Sequence, residues 1–206
     1  MRQFQVKVCG ITRVADAALA ARLGADMIGL IFYEKSPRYV TIAQAIQITG
    51  DLPPTVDRVG VFVAQSIVTI LRTVERCRLD LVQVHSYYSA SEIRQLQNSG
   101  VKVIQAFRVT ERRDWRKLEG SHSDLKMLDN SEGKGISFET VPPPPKRATN
   151  FVLSGGVSAH NVAEGVTRFR PLVVDVNSSV ESKPGIKSRG KLEAFFRRCN
   201  ELRYGK

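Results

Sequence analysis

Short β-rich runs alternate with longer segments of helical spacing eight times along this chain, and this alternation limits the fold more than any other feature of the sequence. The β-rich runs cover residues 5–9, 27–32, 58–63, 81–85, 102–107, 125–129, 150–153 and 172–176. Apolar residues recur every three or four positions in residues 14–23, 42–49, 67–76, 90–97, 160–169 and 188–202, as in amphipathic helices. Several runs are apolar almost throughout, which is typical of parallel strands covered on both faces. The pattern therefore predicts an α/β fold.

Eight strand–helix units within 206 residues match the smaller (β/α)8 TIM barrels, in which short connections close the sheet on itself. An open doubly wound sheet has a similar alternation, but it generally has fewer strands and a Gly-x-Gly-x-x-Gly loop after the first, which is missing here. The helical pattern is weakest in residues 110–119, and the prolines of residues 139–145 predict a loop or polyproline segment. Because no linker divides the chain, we expect a single barrel domain over residues 1–206.

The composition argues against several classes of protein. Hydrophobic residues make up 42% of the chain and charged residues 25%, and no apolar run approaches the roughly 18 residues that cross a bilayer. Neither a disordered chain nor a membrane protein is therefore expected. The three cysteines are widely spaced and form no Cys-x-x-Cys pair, which argues against a disulfide framework or a zinc site and favours a reducing, cytoplasmic location.

The formal charge of +11 fits a nucleic-acid partner, a small anionic substrate or an ordinary solvated surface, and it is unevenly distributed along the chain. From residue 183 onward the chain has eight lysines and arginines but two glutamates, so more than half of the excess lies in the last segment. A basic barrel that binds RNA would carry such a surplus, but the aromatic residues, 7% of the chain, are not interleaved with these charges. We expect a small anionic substrate, no nucleic acid and no membrane partner, and a monomer or homodimer.

Glycine and serine residues collect where the seventh and eighth predicted strands end, which is where barrel enzymes build their active sites. Gly155 and Gly156 lead toward a helix start at Ser158, and Ser178 and Ser179 follow the last run. Loops with exposed amide groups at these two positions form the phosphate site of many barrels, although the same residues also suit an ordinary turn and helix cap. Because both loops carry the signal, we expect a phosphate group here.

Candidate proton-transfer groups end the first and sixth runs. Cys9 follows Lys7 on the same face of its strand, and a thiol needs a nearby cation to act as a base near neutral pH. Lys7 would either lower the pKa of this thiol or pair with Asp175 inside the barrel. Asp129 ends the sixth run, nearly across the barrel mouth from Cys9, where a carboxyl could hold or deliver a proton. A buried core thiol and a turn-forming aspartate are the structural alternatives.

A polar pair also lies within the otherwise apolar fourth run. Gln83 and His85 share one face of the strand by its period of two, and a hydrogen-bonded core histidine is the alternative reading. Three histidines in the whole chain and no clustered carboxylates make a catalytic metal site unexpected.

Taken together and in this order, these strand ends resemble the phosphoribosylanthranilate isomerase family, the barrel isomerases of tryptophan biosynthesis. The motifs that carry the resemblance are KVCGITR at residues 7–13, SPRYV at 36–40, VQVHS at 82–86, LDN with GKG within 128–135, LSGGVSAHNV at 153–162 and VESKPGIKS at 180–188. They span nearly the whole chain, and their combination is far more specific than any one of them.

The resemblance implies an Amadori rearrangement that converts N-(5-phosphoribosyl)anthranilate into 1-(2-carboxyphenylamino)-1-deoxyribulose 5-phosphate without a metal or organic cofactor. It implies that Cys9 is the general base, that Asp129 is the general acid, and that Arg38 binds the anthranilate carboxylate, for which a planar guanidinium is suited. The further site residues that it implies are Gln83, His85 and Asp175 along the pocket, and Gly133, Gly135, Gly155, Gly156, Ser178 and Ser179 around the phosphate.

Several positions depart from the usual family pattern. Ser86 follows His85 where the family has glycine, the sixth loop is short, and Ser179 replaces a glycine. The change at Ser179 would remove a close backbone approach or a positive φ and so weaken phosphate binding. Rival phosphosugar barrels, such as ribulose-phosphate epimerases and the histidine-pathway isomerase, use carboxylate pairs or a metal, which Cys9 and Arg38 do not suit.

Overall fold

The computed structural model describes residues 4–85, 88–129, 138–145 and 150–205. Eight parallel strands follow one another in sequence order and close into a barrel, with β8 hydrogen-bonded to β1. They are β1 (Gln5–Val8), β2 (Met27–Ile31), β3 (Asp57–Phe62), β4 (Leu81–His85), β5 (Lys102–Phe107), β6 (Leu125–Leu128), β7 (Phe151–Leu153) and β8 (Val173–Val176). The predicted (β/α)8 barrel is confirmed.

The helices lie outside the barrel wall, between successive strands or after the last one. Among the described residues they are α1 (Val14–Leu23), α2 (Ile42–Thr49), α3 (Ile67–Cys77), α4 (Ala90–Asn98), α5 (Trp115–Glu119), α6 (Val162–Phe169) and α7 (Arg189–Tyr204). The fifth unit, with its weak pattern, has a single 3-10 turn followed by the five-residue α5. A 3-10 turn (Phe138–Thr140) precedes the four prolines, and the prolines themselves, residues 142–145, have no regular structure.

Local side-chain chemistry explains where several helices begin and end. Thr41 and Gln44 form a reciprocal capping box at the start of α2, and Ser89 and Glu92 do the same at the start of α4. Each box satisfies two backbone N–H groups in the first turn of its helix. Helix α1 stops at Gly24, whose φ of 102° lies in the left-handed region that glycine adopts without steric cost.

Two predicted boundaries were wrong for identifiable reasons. Helix α6 begins at Val162 and not near Ser158, because the backbone N–H and hydroxyl of Ser158 both donate to Asn161 Oδ1 and form a turn instead. Strand β7 begins at Phe151, since Asn150 has a φ of 56°, a left-handed conformation that asparagine tolerates and a strand does not.

The lower half of the barrel interior is packed with apolar side chains. This cluster comprises Met27, Val59, Leu81, Ile104, Ala106, Leu125, Met127, Val152 and Val173. A second, larger apolar layer lies between the strands and the helices. These side chains fill the interior near the amino ends of the strands. Among the described residues, space for a site is therefore left toward the carboxyl ends of the strands.

A short antiparallel hairpin after β8 was not predicted from the sequence. It consists of β9 (Glu181–Lys183) and β10 (Ile186–Lys187), with the turn at Gly185 in a left-handed conformation of φ 80°. The hairpin is docked on the first βα unit: the hydroxyl of Thr12 donates to the Gly185 carbonyl, and the Lys187 N–H donates to Asp16 Oδ2 at 3.0 Å. It therefore brings the VESKPGIK segment beside the barrel mouth.

Part of the basic surplus of the last segment is structural. Arg203 near the end of α7 is buried, donates to Asp26 Oδ2 at 2.6 Å and stacks over the Phe4 ring. The same Asp26 oxygen accepts the N–H of Val6 in β1. Arg203 thus fastens the last helix to the first strand. No helix in the described part of the chain is both long enough and apolar enough to cross a membrane.

Candidate active site

A cavity of about 460 Å³ opens at the carboxyl ends of the strands. Its lining comprises Cys9, Ile31, Tyr33, Ser36, Pro37, Arg38, Val61, Val63, Gln83, His85, Asp129, Ser154, Gly155, Gly156, Val157, Asp175, Asn177 and Ser178. Nine of the twelve residues predicted for the site are among them. Of the other three, Gly133 and Gly135 lie outside the described residues, and Ser179 does not line the cavity.

Cys9 sits at the floor of the cavity immediately after β1, and its side chain is almost fully buried. The neighbouring position on β2 is Gly29, where an added Cβ would come within 2.8 Å of the Cys9 Sγ and 3.0 Å of its Cα. Glycine at this point therefore provides the space that the thiol occupies. Burial raises the pKa of the Cys9 thiol despite the nearby Lys7 ammonium, so the resting group is protonated at neutral pH.

Lys7 is fully buried inside the barrel and pairs with Asp175 on the adjacent strand. Its Nζ lies 2.8 Å from Asp175 Oδ1, and the two residues are directly opposite in the β1–β8 register. Burial opposes the ammonium charge, but the attraction of Asp175 and its hydrogen bond outweigh it and raise the pKa of Lys7 above its ordinary value. Of the two roles predicted for Lys7, the structure shows the pairing with Asp175; the ammonium offsets only part of the effect of burial on Cys9, and the pKa of the thiol stays above its ordinary value.

The fourth and sixth strands contribute the opposite wall. Asp129 follows β6 and lines the same cavity as Cys9, as do Gln83 and His85 of β4. Burial lowers the pKa of His85 in spite of the nearby Asp129, so its imidazole is neutral at pH 7. Within the described residues, the buried Oε1 of Gln83 has no hydrogen-bond partner. It is an acceptor that a ligand donor could use.

Arg38, in the loop after β2, is held by a carboxylate that the sequence analysis did not assign. Its Nε lies 2.9 Å from Glu181 Oε1, and its Nη2 lies 2.7 Å from Glu181 Oε2. Burial works against the charge of Glu181, but the bonds from Arg38 and Lys187 outweigh it and lower the pKa of this carboxyl. Arg38 nevertheless lines the cavity, where it can meet an anion.

Lys187 completes this charged cluster beneath the cavity rim. Its buried Nζ donates to Glu181 Oε1 at 3.0 Å and to both the carbonyl and the side-chain oxygen of Asn177. Asn177 and Arg38 in turn press on Gly10: an added Cβ there would lie 2.6 Å from Asn177 Oδ1 and 2.7 Å from Arg38 Cδ. With a φ of 69°, Gly10 is required both for its conformation and for this close contact.

The loops after β7 and β8 form the other flank. Gly155 and Gly156 have φ values of 86° and 72°, and their N–H groups make no hydrogen bond with any described residue. Ser178 lines the cavity beside them. The hydroxyl of Ser179 instead donates to the Val157 carbonyl and joins the two loops, which is why it is turned away from the cavity.

The backbone at position 179 does not require a glycine. It lies in a 3-10 turn (Ser178–Val180), and it is not among the non-glycine residues with positive φ. The expected loss of a required positive φ at this position was therefore wrong.

Sequence reasoning missed Glu181, Lys187 and Asn177. For Glu181 and Lys187 the signal was present in VESKPGIKS at residues 180–188, which was recognised as a motif but given no role. Strand periodicity could not place these residues, because Glu181 and Lys187 belong to the hairpin and Asn177 lies beyond the end of β8. In the described part of the chain, no cluster of three or more histidine, cysteine, aspartate or glutamate side chains is placed to hold a metal ion.

The sequence profile of the family described as N-(5'phosphoribosyl)anthranilate (PRA) isomerase matches residues 6–198. The chain belongs to this family. An N-(5'-phosphoribosyl)anthranilate isomerase of Geotalea uraniireducens is 37% identical to it over 204 residues, which are 96% of this chain and 99% of the relative. The family places the chain among the isomerases of tryptophan biosynthesis.

Solved structures of phosphoribosyl anthranilate isomerases have the same fold. The enzyme from Thermus thermophilus superposes with a TM-score of 0.85 at 32% identity, covering 97% of this chain and all of that one. A second, at 33% identity with the same coverage and a TM-score of 0.83, was solved in complex with reduced 1-(o-carboxyphenylamino)-1-deoxyribulose 5-phosphate. The cavity described above lies at the carboxyl ends of the barrel strands, where enzymes of this fold have their active sites.

Proposed function

We propose that the cavity binds N-(5-phosphoribosyl)anthranilate lengthwise, with the carboxyphenyl ring beside Arg38 and the phosphate on the loops after β7 and β8, and that Cys9 and Asp129 transfer the protons of the Amadori rearrangement. One observation carries this proposal. A single cavity holds a thiol and a carboxyl between a guanidinium on one flank and a glycine loop with unused N–H groups on the other.

The two flanks of the cavity differ in chemistry in the way this substrate requires. The flank formed by β2, β3 and the loop that carries Arg38 is apolar, with Ile31, Tyr33, Pro37, Val61 and Val63. An aromatic ring fits such a wall, and Arg38 beside it fits the ortho carboxylate. The opposite flank presents Gly155, Gly156 and Ser178, with exposed donors suited to phosphate oxygens. Gly133, Gly135 and the backbone of Ser179 would complete the phosphate site.

The reaction needs one acid and one base between these flanks. Asp129 would protonate the ring oxygen as the C1–O bond breaks, while the anthranilate nitrogen lone pair forms the C1=N bond of the opened chain. Cys9, after releasing its own proton to solvent, would as thiolate remove the C2 proton, giving an enolamine. The Cys9 thiol would then return a proton to C1 while the Asp129 carboxylate takes the hydroxyl proton at C2, which yields the aminoketose and regenerates both groups. No net oxidation occurs, because the electrons move from C2 to C1 within one molecule.

The charges around Cys9 fit a base that forms during turnover. Burial keeps the resting thiol protonated, while the cations of Lys7 and Lys187 favour the thiolate. His85, which is neutral, lines the cavity together with Gln83 and Asp175, and in the proposed binding mode these three would bind the sugar hydroxyls.

The test is a fluorescence assay of phosphoribosylanthranilate consumption by the purified protein and two variants. Wild type should consume the substrate. Asp129→Asn should lower kcat about 10²–10⁴-fold, the usual contribution of a general acid. Arg38→Ala should chiefly raise KM, because it removes a binding contact remote from the reacting atoms. A wild type without turnover would overturn the proposal, and a fully active Asp129→Asn or an unchanged KM in Arg38→Ala would remove the role of that residue.

A further inference from the structure

The hairpin carries a carboxylate, Glu181, that accepts several hydrogen bonds next to the cavity. Glu181 is 6% exposed, and its Oε1 accepts from Arg38 Nε, from the Gly185 N–H at 3.1 Å and from Lys187 Nζ. Its Oε2 accepts from Arg38 Nη2. The carboxylate is therefore fixed by its own hairpin and presents one orientation to Arg38.

The bonds to Glu181 occupy one side of the Arg38 guanidinium. They use the Nε and Nη2 edge, and Nη1 has no hydrogen-bond partner among the described residues. A guanidinium has five N–H donors in a rigid plane, so the Nη1 and Nη2 end remains available for a second bidentate carboxylate. The Arg38 side chain is only 17% exposed, and it lines the cavity.

The charge balance of the cluster also favours an incoming anion. Arg38 and Lys187 share a single carboxylate, Glu181, so the three side chains keep one net positive charge close to the cavity. Glu181 thus fixes the direction of Arg38 without cancelling its attraction for a substrate carboxylate.

We propose that Glu181 is a positioning residue that holds Arg38 by its Nε edge, so that the opposite end of the guanidinium receives the carboxylate of the substrate, and that Lys187 holds Glu181 in turn. This inference rests on the proposed function of Arg38. The VESKPGIK segment would then have a functional role, because its hairpin orients Arg38 and so favours aromatic substrates that carry a carboxylate.

The experiment compares two ligands by calorimetry: reduced 1-(2-carboxyphenylamino)-1-deoxyribulose 5-phosphate and the same compound without the carboxyl group. Glu181→Gln should weaken binding of the carboxylated ligand about tenfold, the scale of fixing one rotamer-rich side chain at binding, and leave the carboxyl-free ligand within twofold. Glu193→Gln, which breaks an exposed ion pair with Arg189 on α7, is the matched control and should change neither affinity.

Further variants separate positioning from structural damage. If Glu181 acts through Arg38, Arg38→Ala with Glu181→Gln should bind the carboxylated ligand no more weakly than Arg38→Ala alone. In steady-state assays Glu181→Gln should raise KM more than it lowers kcat. Should Glu181→Gln fail to fold, Glu181→Asp, one methylene shorter, should show the same selective loss.

Each contrary result has a distinct meaning. Equal weakening of both ligands, or additive losses in the double variant, would overturn the positioning role. Tighter binding of the carboxylated ligand by Glu181→Gln would also overturn it, because Glu181 would then compete with the substrate for Arg38. Failure of the proposed function looks different: wild type would not turn over phosphoribosylanthranilate, or Arg38→Ala would bind the two ligands as wild type does.

Discussion

Replacing Lys7 by methionine would leave Asp175, a buried aspartate inside the barrel, without its paired ammonium group. Lys7 Nζ lies 2.8 Å from Asp175 Oδ1, and the lysine side chain is 0% exposed against 9% for the aspartate. Methionine fills nearly the same volume as lysine, so the change removes the charge more than it removes packing. Asp175 must then either stay charged without Lys7 or take up a proton.

Proton uptake sets an upper value for the loss of stability. The ordinary pKa of an aspartate is about 3.9, so protonating it at pH 7 costs about 1.36 kcal/mol for each of roughly three pH units, or about 4 kcal/mol. This value agrees with the roughly 3–5 kcal/mol lost when one partner of a buried ion pair is removed. Lys187 also attracts the Asp175 carboxylate, and this remaining attraction would make the loss of stability smaller than the upper value.

The loss should depend on pH in a defined direction. In Lys7→Met the folded protein keeps a proton on Asp175 that the unfolded chain releases above about pH 3.9, so the variant becomes less stable as the pH rises. At pH 5 the difference from wild type should be about 1.5 kcal/mol. In wild type, the raised pKa of Lys7 keeps its ammonium charged at both pH values.

Urea denaturation at pH 5 and pH 7, followed by circular dichroism, measures both values. Lys7→Met with Asp175→Asn should recover most of the stability at pH 7, because neither ion remains. A loss that is equal at the two pH values, a loss below about 1 kcal/mol at pH 7, or a double variant less stable than the single one would refute the argument.

Three other variants or reactions test separate parts of the structure. Gly29→Ala should lower kcat by about 10²-fold, because its Cβ would displace the Cys9 thiol. Gly190→Ala should be fully active, because apart from its chain neighbours and the backbone of its own helix no atom lies within 4 Å of the added Cβ; equal activities would contradict the crowding at Cys9. Arg203→Met should lower the free energy of unfolding by about 1.5–3 kcal/mol, because the buried Asp26 loses the charged hydrogen bond from Arg203 Nη2, and urea denaturation showing no change would exclude that role. Alkylation of Cys9 by iodoacetamide, followed by mass spectrometry, should accelerate about tenfold per pH unit from pH 6 to 8, since burial raises its pKa above the usual value of about 8.5; a plateau below pH 8 would contradict this.

The fold was predictable because it follows from patterns that repeat. The eightfold alternation reports the barrel directly, and the bounds of α1 and α2 agree with their apolar periodicity. The wrong boundaries, those of α6 and β7, occur where a single residue determines the local backbone conformation. Asn161 captures the groups that would begin a helix at Ser158, and Asn150 takes up a left-handed conformation ahead of β7.

The candidate site was predictable to the extent that strand ends define it. Cys9, Asp129 and the glycines after β7 follow from the position of each strand and its period of two. The contact between Arg38 and Glu181 joins residues 143 positions apart, and one of them lies in a hairpin without periodicity. No local pattern could reveal such a contact, nor the bond by which Ser179 joins two loops.

The central claim is that Cys9 is the base of the isomerase reaction, and single-turnover loss of phosphoribosylanthranilate fluorescence tests it most directly. The measurement compares wild type with Cys9→Ala and with Cys77→Ala, a cysteine at the end of α3 that does not line the cavity. We predict a rate lower by at least about 10²-fold for Cys9→Ala and an unchanged rate for Cys77→Ala. A Cys9→Ala variant with a rate close to that of wild type would contradict the account.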